Sequence, residues 1–431
     1  MQVLPGVAWA AQADYGFGYL GEYRSNIRQQ PNNDTNEWIN VGLAGFTYSE
    51  NTADFVTHIT SQAEYRDYRR ETFADETLFF LDASSVWTLS PGRLTWTAVD
   101  AYREVTLDAT QADTPANRTG ANVLETGPDA FFRLGSANTL SLGARYGDVH
   151  VRESDLDNNR YGGVVRWIYQ STAQTSYSLN LEQVRVEFEN DTTNENFRRQ
   201  DSFLRVQTRS AHAEITLDGG RTEFDRARSS DLDSSLARLT WRQNLTSIST
   251  FGVSASSGYQ DLGTELLRYV TPPTTSVSVT APPPPATDIV SNGLYHSKRA
   301  DMFYSYRGNR LTWNGGVVAR DVDFEAAATE DQKEKGANFD ASYLVSGVTT
   351  LSLMTSLLDL EFLTSGREDK ETQMWLRLAY RAQRELTVGL DVGRVKRDSN
   401  DPAHDFVDNR IYLSVLWSTG PLFSPLSRGR R

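Results

Sequence analysis

The residues with chemistry to offer are arginines and carboxylates set in alternating segments, with five histidines scattered among them. His58, His150, His212, His296 and His404 form no ligand or base motif: neither the zinc pattern HExxH nor the serine elbow GxSxG occurs. Cysteine is absent, which removes disulfides, thiolate nucleophiles and cysteine metal sites. Acidic stretches such as Asp155-Leu156-Asp157 and Glu330-Asp331 lack the regular spacing of a calcium loop, so neither metal nor cofactor is expected. His58 and His212 fall on the polar parity of their segments, where a barrel-wall hydrolase would place its base. A single sequence cannot place a serine beside either, and they are read as solvated wall residues. No catalytic residue is assigned.

Arginine is what recurs. Arg66, Arg145, Arg166, Arg205, Arg238, Arg242, Arg299, Arg320, Arg377, Arg381 and Arg410 share the polar parity of their segments. Glu64, Glu214, Asp218, Asp301, Asp340, Asp391 and Asp408 share it with them. A guanidinium binds carboxylate or phosphate through two parallel hydrogen bonds, so a wet channel lined this way would attract an anionic polymer. The plainer reading, favoured for most individual residues, is cross-strand pairing of arginine with acid that neutralises the wall and stiffens it. Trp375 and Tyr412 lie on the same parity. They are candidates for stacking on sugar rings, and packing is the reading favoured for both.

These side chains are positioned by one repeating unit. Segments of roughly twelve to sixteen residues alternate apolar and polar side chains, and they are joined in succession by a tight turn and then a longer polar loop. In 55–65, Phe55, Ile59, Ala63 and Tyr65 share one face while His58, Gln62, Glu64 and Arg66 share the other. Tight turns near 49–53, 90–92, 135–138, 171–174, 209–211, 246–249, 307–309, 346–349 and 382–384 alternate with loops. The loops lie near 25–34, 69–76, 109–125, 153–160, 191–199, 226–233, 265–293, 325–335, 364–371 and 399–406. Nine turns and ten loops predict twenty strands, with eighteen as the alternative count if weak segments such as 126–134 are misread.

Soluble strands are about five or six residues long, whereas a tilted membrane strand needs about nine to eleven. Aromatic residues on the apolar parity crowd the short-turn ends: Trp87, Trp96, Trp167, Tyr169, Trp241, Trp313, Tyr304, Tyr306, Tyr380 and Trp417. That is an interfacial girdle. Mean hydropathy of −0.51 fits, because such a strand shows lipid only every second residue. A net charge of −13 argues against a nucleic-acid binder. The fold class is therefore all-β, a transmembrane up-and-down antiparallel barrel with short periplasmic turns and long extracellular loops. Residues 1–12 read as a signal-peptide remnant or leader, 13–418 as the single barrel and 419–431 as a tail. The proline-rich stretch 271–287 is expected at the tip of the longest loop.

Three stretches carry a likeness: SPGRLTW (90–96) followed by Val99 and Asp100, TGPDAFFRLGSANTLSLGARYGD (126–148), and DNRIYLSVLWS (408–418). They resemble the outer-membrane β-barrel porin family associated with exopolysaccharide and PEP-CTERM gene clusters (β-barrel porin 2-like). The motifs are structural hairpins and specify no chemistry. What the resemblance implies is a conduit for exopolysaccharide export in the cell outer membrane. Its expected partners are outer-membrane lipid, a polysaccharide chain and periplasmic export proteins, with the monomer as the expected state. The competing expectations are a loop-plugged scaffold of a secretion complex and, behind it, a barrel-wall hydrolase.

Overall fold

A polypeptide that shows lipid and water to alternate side chains must run extended, and its backbone groups must find partners in neighbouring strands. The computed structural model describes residues 9–420 and 422, apart from 32–34, 109, 153, 193, 269–293 and 326–330. It holds twenty strands in one sheet. The first five are β1 (Trp9–Arg24), β2 (Glu37–Asn51), β3 (Phe55–Tyr68), β4 (Glu76–Ser90) and β5 (Leu94–Thr106). The next five are β6 (Arg118–Arg133), β7 (Asn138–Val151), β8 (Asn158–Gln170), β9 (Thr175–Phe188) and β10 (Phe197–Arg209). Then come β11 (Ala213–Arg226), β12 (Leu232–Thr246), β13 (Ser249–Gln260), β14 (Tyr295–Arg307) and β15 (Leu311–Phe324). The last are β16 (Gln332–Ser346), β17 (Thr349–Phe362), β18 (Arg367–Arg381), β19 (Leu386–Ser399) and β20 (Phe406–Ser418). A short helix, α1 (Leu262–Arg268), follows β13.

Each strand pairs antiparallel with its neighbours in sequence, and β1 pairs with β20 from Gly16↔Ser418 to Arg24↔Arg410. The ring is closed and has no free edge. The tight turns rely on left-handed glycines at Gly92 (φ 67°) and Gly135 (φ 85°), a region where a side chain is strained.

The outward face is apolar and open, because its solvent is lipid. Leu179, Leu204, Leu217, Leu357, Leu376 and Leu413 are all exposed on it. Trp87, Trp96, Trp167, Tyr169, Trp241 and Tyr380 ring the short-turn end, and Tyr304 stacks on Trp313 at a centroid distance of 4.9 Å. A second aromatic ring stands toward the long-loop end, with Tyr19, Trp38, Tyr65, Phe79, Tyr146 and Tyr161. On β3 the two rings are marked by Phe55 and Tyr65. That separation rises about 33 Å along the strand and about 25 Å along the normal at a tilt of about 40°, which matches the apolar band of such barrels.

Three expectations change. The segment 109–125 is a loop only as far as Asn117, and β6 starts at Arg118. Its sequence RTGANVLETGPDAFFR carries Gly120, Gly127 and Pro128, which locally disfavour a strand. Pairing on both sides overrides that preference, and Gly127 is required, since a Cβ there would collide with the Ala144 carbonyl. The weak segment 126–134 belongs to this same strand. Residues 262–268, read as strand end and loop, are helical instead. Strand β1 begins at Trp9, ahead of the expected start at Ala13, and the proline-rich stretch 271–287 lies outside the described residues.

Replacing Leu376, midway across the outward band, with Arg is expected to destabilise the barrel by about 2–4 kcal/mol in reversible unfolding from lipid vesicles. The same change at Ser356, on the lumen parity, should cost far less. Equal costs at the two sites would contradict the assigned faces.

Candidate functional site

The inner face carries the charges, and it carries them in pairs. Arg66 on β3 lies 2.6 Å from Glu22, 3.6 Å from Glu64 and 3.5 Å from Glu76. Arg145 meets Asp129 at 2.7 Å, Arg166 meets Glu182 at 3.4 Å and Asn180 at 2.6 Å, and Arg299 meets Asp301 at 2.7 Å. Arg205 grips Asp218 side-on, donating from Nε and Nη2 at 2.7 and 2.8 Å, and Arg238 stands 3.7 Å from the same carboxylate. Arg377 faces Asp391 at 3.3 Å, while Arg410 and Arg24 share Asp408 at 2.7 Å each. Arg242 and Asp340 have the inward parity of their strands, opposite Trp241 and Phe339. Arg381 closes β18 at the short-turn rim and is exposed.

Sequence reading passed over several members of the same wall. Arg103 pairs with Asp82 at 2.8 Å, Arg199 with Asp201 at 2.8 Å, Arg367 with Asp369 at 3.1 Å and Arg397 with Glu371 at 3.0 Å. Their acids stand two residues away or on the adjacent strand, so the parity rule that found the others would have found these.

Trp375 and Tyr412 also point inward. Their rings stack on each other at 5.2 Å and 11°, and Trp375 lies over Gly393, where a side chain would not fit. Both belong to an apolar cluster with Met354, Leu20 and Leu43, and Trp375 is 4% exposed. Their faces already have partners, which is the packing arrangement.

Besides that cluster, a second apolar patch breaks the polar wall. Six inward residues on the outer half of β5–β7 are apolar, Val99, Ala101, Val105, Ala121, Val123 and Val149, with Arg103 the charged residue among them. Helix α1 covers them. Leu266 packs among Val105, Val123 and Val149, and Leu267 reaches Val99 and Ala101. The other side of α1 is held by charge, with Glu265 receiving Arg320 of β15 at 3.0 Å. Strands β5 and β15 are half a ring apart, so α1 ties opposite walls across the outer mouth. A second tie runs from Arg367 of β18 to the carbonyl of Thr110, at 2.7 Å, in the loop after β5.

The N-terminal turn of α1 is docked as firmly. Asp261 caps it by accepting from Thr264 Oγ1 at 2.6 Å, and its carboxylate pairs with Arg160 of β8. Gly263 lies flat on that guanidinium, and a Cβ there would come within 2.6 Å of Nη2. Burial alone would raise the Asp261 carboxyl. The charge of Arg160, its hydrogen bond, the Thr264 hydroxyl and the charge of Arg199 outweigh it and hold the carboxyl at about 2.

The histidines stay apart from this site. Nδ1 of His58 lies 2.8 Å from Ser49 Oγ, its cross-strand partner, and Nε2 lies 3.3 Å from Thr60 Oγ1. Among the described residues no carboxylate bonds that ring, so it lacks the orienting third group of a serine hydrolase. His212 sits exposed in the turn between β10 and β11.

No family model matches the chain, and no curated protein matches it. Solved structures do. The FrpB iron transporter of Neisseria meningitidis (F3-3 variant) is 9% identical, with a TM-score of 0.46, over 94% of this chain and 81% of its own. OccK2 (OpdF) of Pseudomonas aeruginosa in complex with glucuronate is 11% identical, TM-score 0.40, over 95% and 98%. OmpTdeltaL8, a loop L8 deletion mutant of an outer membrane protein of Vibrio cholerae, is 11% identical, TM-score 0.34, over 95% and 99%. These are distant likenesses of fold. The closed ring, apolar belt and paired girdles themselves make this chain a membrane-spanning barrel of the outer-membrane type.

The depressed Asp261 carboxyl has a pH consequence. A free aspartate titrates near about 3.9, so the Arg160 pair stabilises docked α1 at any pH above about 4 and loses that contribution only as pH falls toward about 2. Spin-label distances between α1 and β8 are expected to hold constant from pH 7 to pH 4. Undocking at pH 5 would show that another group controls α1.

Proposed function

We propose that the barrel is a porin-like conduit of the outer membrane, restricted at its outer mouth by α1, and that it passes an anionic polysaccharide for export. The observation that carries the reading is the inner wall of the closed ring, which is arginine-rich and ion-paired, and is interrupted by the apolar cluster around Trp375 and by the patch that α1 covers. A ring of sixteen or more strands leaves room for an aqueous channel. A guanidinium that already holds a wall carboxylate keeps donors to spare, so it can bind a passing acidic sugar beside its wall partner without leaving that acid unpaired. Exopolysaccharide is the polymer class implied by the porin-family resemblance noted at 90–100, 126–148 and 408–418, and periplasmic export proteins would deliver it. Arg66, Arg145, Arg166, Arg205, Arg238 and Arg242 are the proposed pore-lining set on one side of the ring. Arg299, Arg320, Arg377, Arg381 and Arg410 are proposed for the other, with Glu64, Asp218 and Asp340 as their counter-charges. In this reading Trp375 and Tyr412 pack the wall.

A second reading, a sealed scaffold barrel, draws on α1 alone, since the helix bridges opposite walls. Planar-bilayer recording separates the two. The native chain is expected to give small or brief conductance steps, and releasing α1 with Glu265→Gln, Leu266→Ser and Leu267→Ser should enlarge them. Silence from both proteins would establish the scaffold and sink the conduit.

Selectivity tests the wall. Replacing Arg238 and Arg242 with Ser in the α1-released protein should shift the reversal potential under a salt gradient toward cation preference. An unchanged potential would mean that neither side chain acts on the permeating ion.

A further inference from the structure

Between the first turn of α1 and the outer rims of β7–β11 lies a cavity of ≈ 290 Å³. It is at the lower edge of the about 300–1,000 Å³ that small-molecule clefts occupy, so it takes one small molecule or the end of a chain. Its apolar side is made by Val149, Leu156, Leu262 and Leu294 together with two phenyl rings, Phe188 and Phe197, whose centroids lie 6.4 Å apart. Its polar side is made by planar groups from the loops after β9 and β11, chiefly Asn194, Arg226 and Arg228.

The acids and the arginines of this lining are not in the same condition. All three carboxylates are occupied. Asp261 holds Arg160 and Thr264, Glu195 accepts from the backbone amides of Arg228 and Ser229, and Glu325 accepts from the Tyr259 hydroxyl. Arg226 and Arg228 reach only neutral oxygens. Nε of Arg226 donates to the Ser230 carbonyl at 2.6 Å, and Nη2 of Arg228 to the Asn194 carbonyl at 2.7 Å. Among the described residues neither has a carboxylate at ion-pair distance, and each guanidinium keeps donors to spare. Asn194 is 3% exposed, and its Nδ2 is fixed by the Asp155 carbonyl while its Oδ1 accepts no hydrogen bond among the described residues. The cavity thus offers two cationic forks, one idle acceptor and an aromatic face.

A ring with an apolar C–H face, hydroxyls around its edge and a single carboxylate answers all three. We propose that this cavity is a binding site for one sugar-acid residue. Its carboxylate meets Arg226 and Arg228, its C–H face meets Phe188 and Phe197, and a hydroxyl donates to Asn194 Oδ1. The proposal deepens the conduit reading, on which its choice of an acidic glycan rests, by naming where such a chain is first held. Arg160, Asp261 and Gly263 also wall the cavity, so an occupant touches the docked turn of α1.

The test is calorimetric titration of the full chain in detergent with two probes that differ only at one carbon, methyl α-galactosiduronate and methyl α-galactoside. The uronate is expected to bind about tenfold or more tightly than its neutral partner, the scale of one charge-assisted contact. Arg226→Gln with Arg228→Gln should abolish that preference and leave the neutral sugar's affinity unchanged. Retained heat-modifiable mobility in electrophoresis would certify that the variant is folded. Absence of heat with both sugars, equal affinity for the two, or uronate binding that survives the double substitution would each overturn the site. None of these readouts uses a bilayer, so a silent channel would remove the conduit and leave a measured uronate site standing, and the reverse outcome is equally distinct.

Discussion

Every strand in this molecule depends on ring closure. A backbone N–H or C=O left facing hydrocarbon costs several kcal/mol, and a twenty-stranded sheet with two open edges would leave two rows of them. The pairing of β1 with β20 removes both rows at once. It also fixes the parity of every strand, because a one-residue slip anywhere would turn a lipid-facing leucine inward and an arginine outward. Side-chain chemistry on each face is therefore a consequence of a backbone constraint.

On the inner side the same constraint creates an electrostatic one. Charges crowded on a wall of limited hydration must be neutralised nearby, and the wall does this with arginine alone. All five lysines of the chain, Lys298, Lys333, Lys335, Lys370 and Lys396, lie on the outward parity of β14, β16, β18 and β19. The division has a physical basis. A planar guanidinium can hold a carboxylate on its own strand and another across the ladder, as Arg66 does with Glu64, Glu22 and Glu76, whereas an ammonium is a hydrated point charge better placed at an interface.

The ring, its strand number and its girdles were legible in the sequence because each follows from a local rule: period two, turn chemistry, and aromatic residues at strand ends. The inward arginines were legible for the same reason. What sequence did not disclose are arrangements set from a distance. Strand β6 looks broken by Gly120 and Gly127, and only its two neighbours make those glycines an asset. On β5 and β7 the alternation is present but its sense is reversed, with Val99, Val105 and Val149 inward and Asp100 and Asp148 on the other face. Alternation tells that two faces differ; it does not tell which one meets water. Here the inner face is dry because a helix from β13 covers it.

That reversal bears on what α1 is. Four valines and two alanines on the lumen side of β5–β7 would be poor choices for a wall that is always wet, and leucines at 266 and 267 would be poor choices for a loop that always floats. Each set is reasonable only in the presence of the other, and burying a leucine is worth about 1.5–3 kcal/mol against leaving it exposed. The charged ties at Arg160 and Arg320 add direction, since they fix which way the helix lies once its apolar face is down. The docked helix is thus written into strands that are distant in sequence. Any wide passage has to be obtained by displacing α1 from both walls together, because releasing one charged tie leaves Leu266 and Leu267 still seated on the valines.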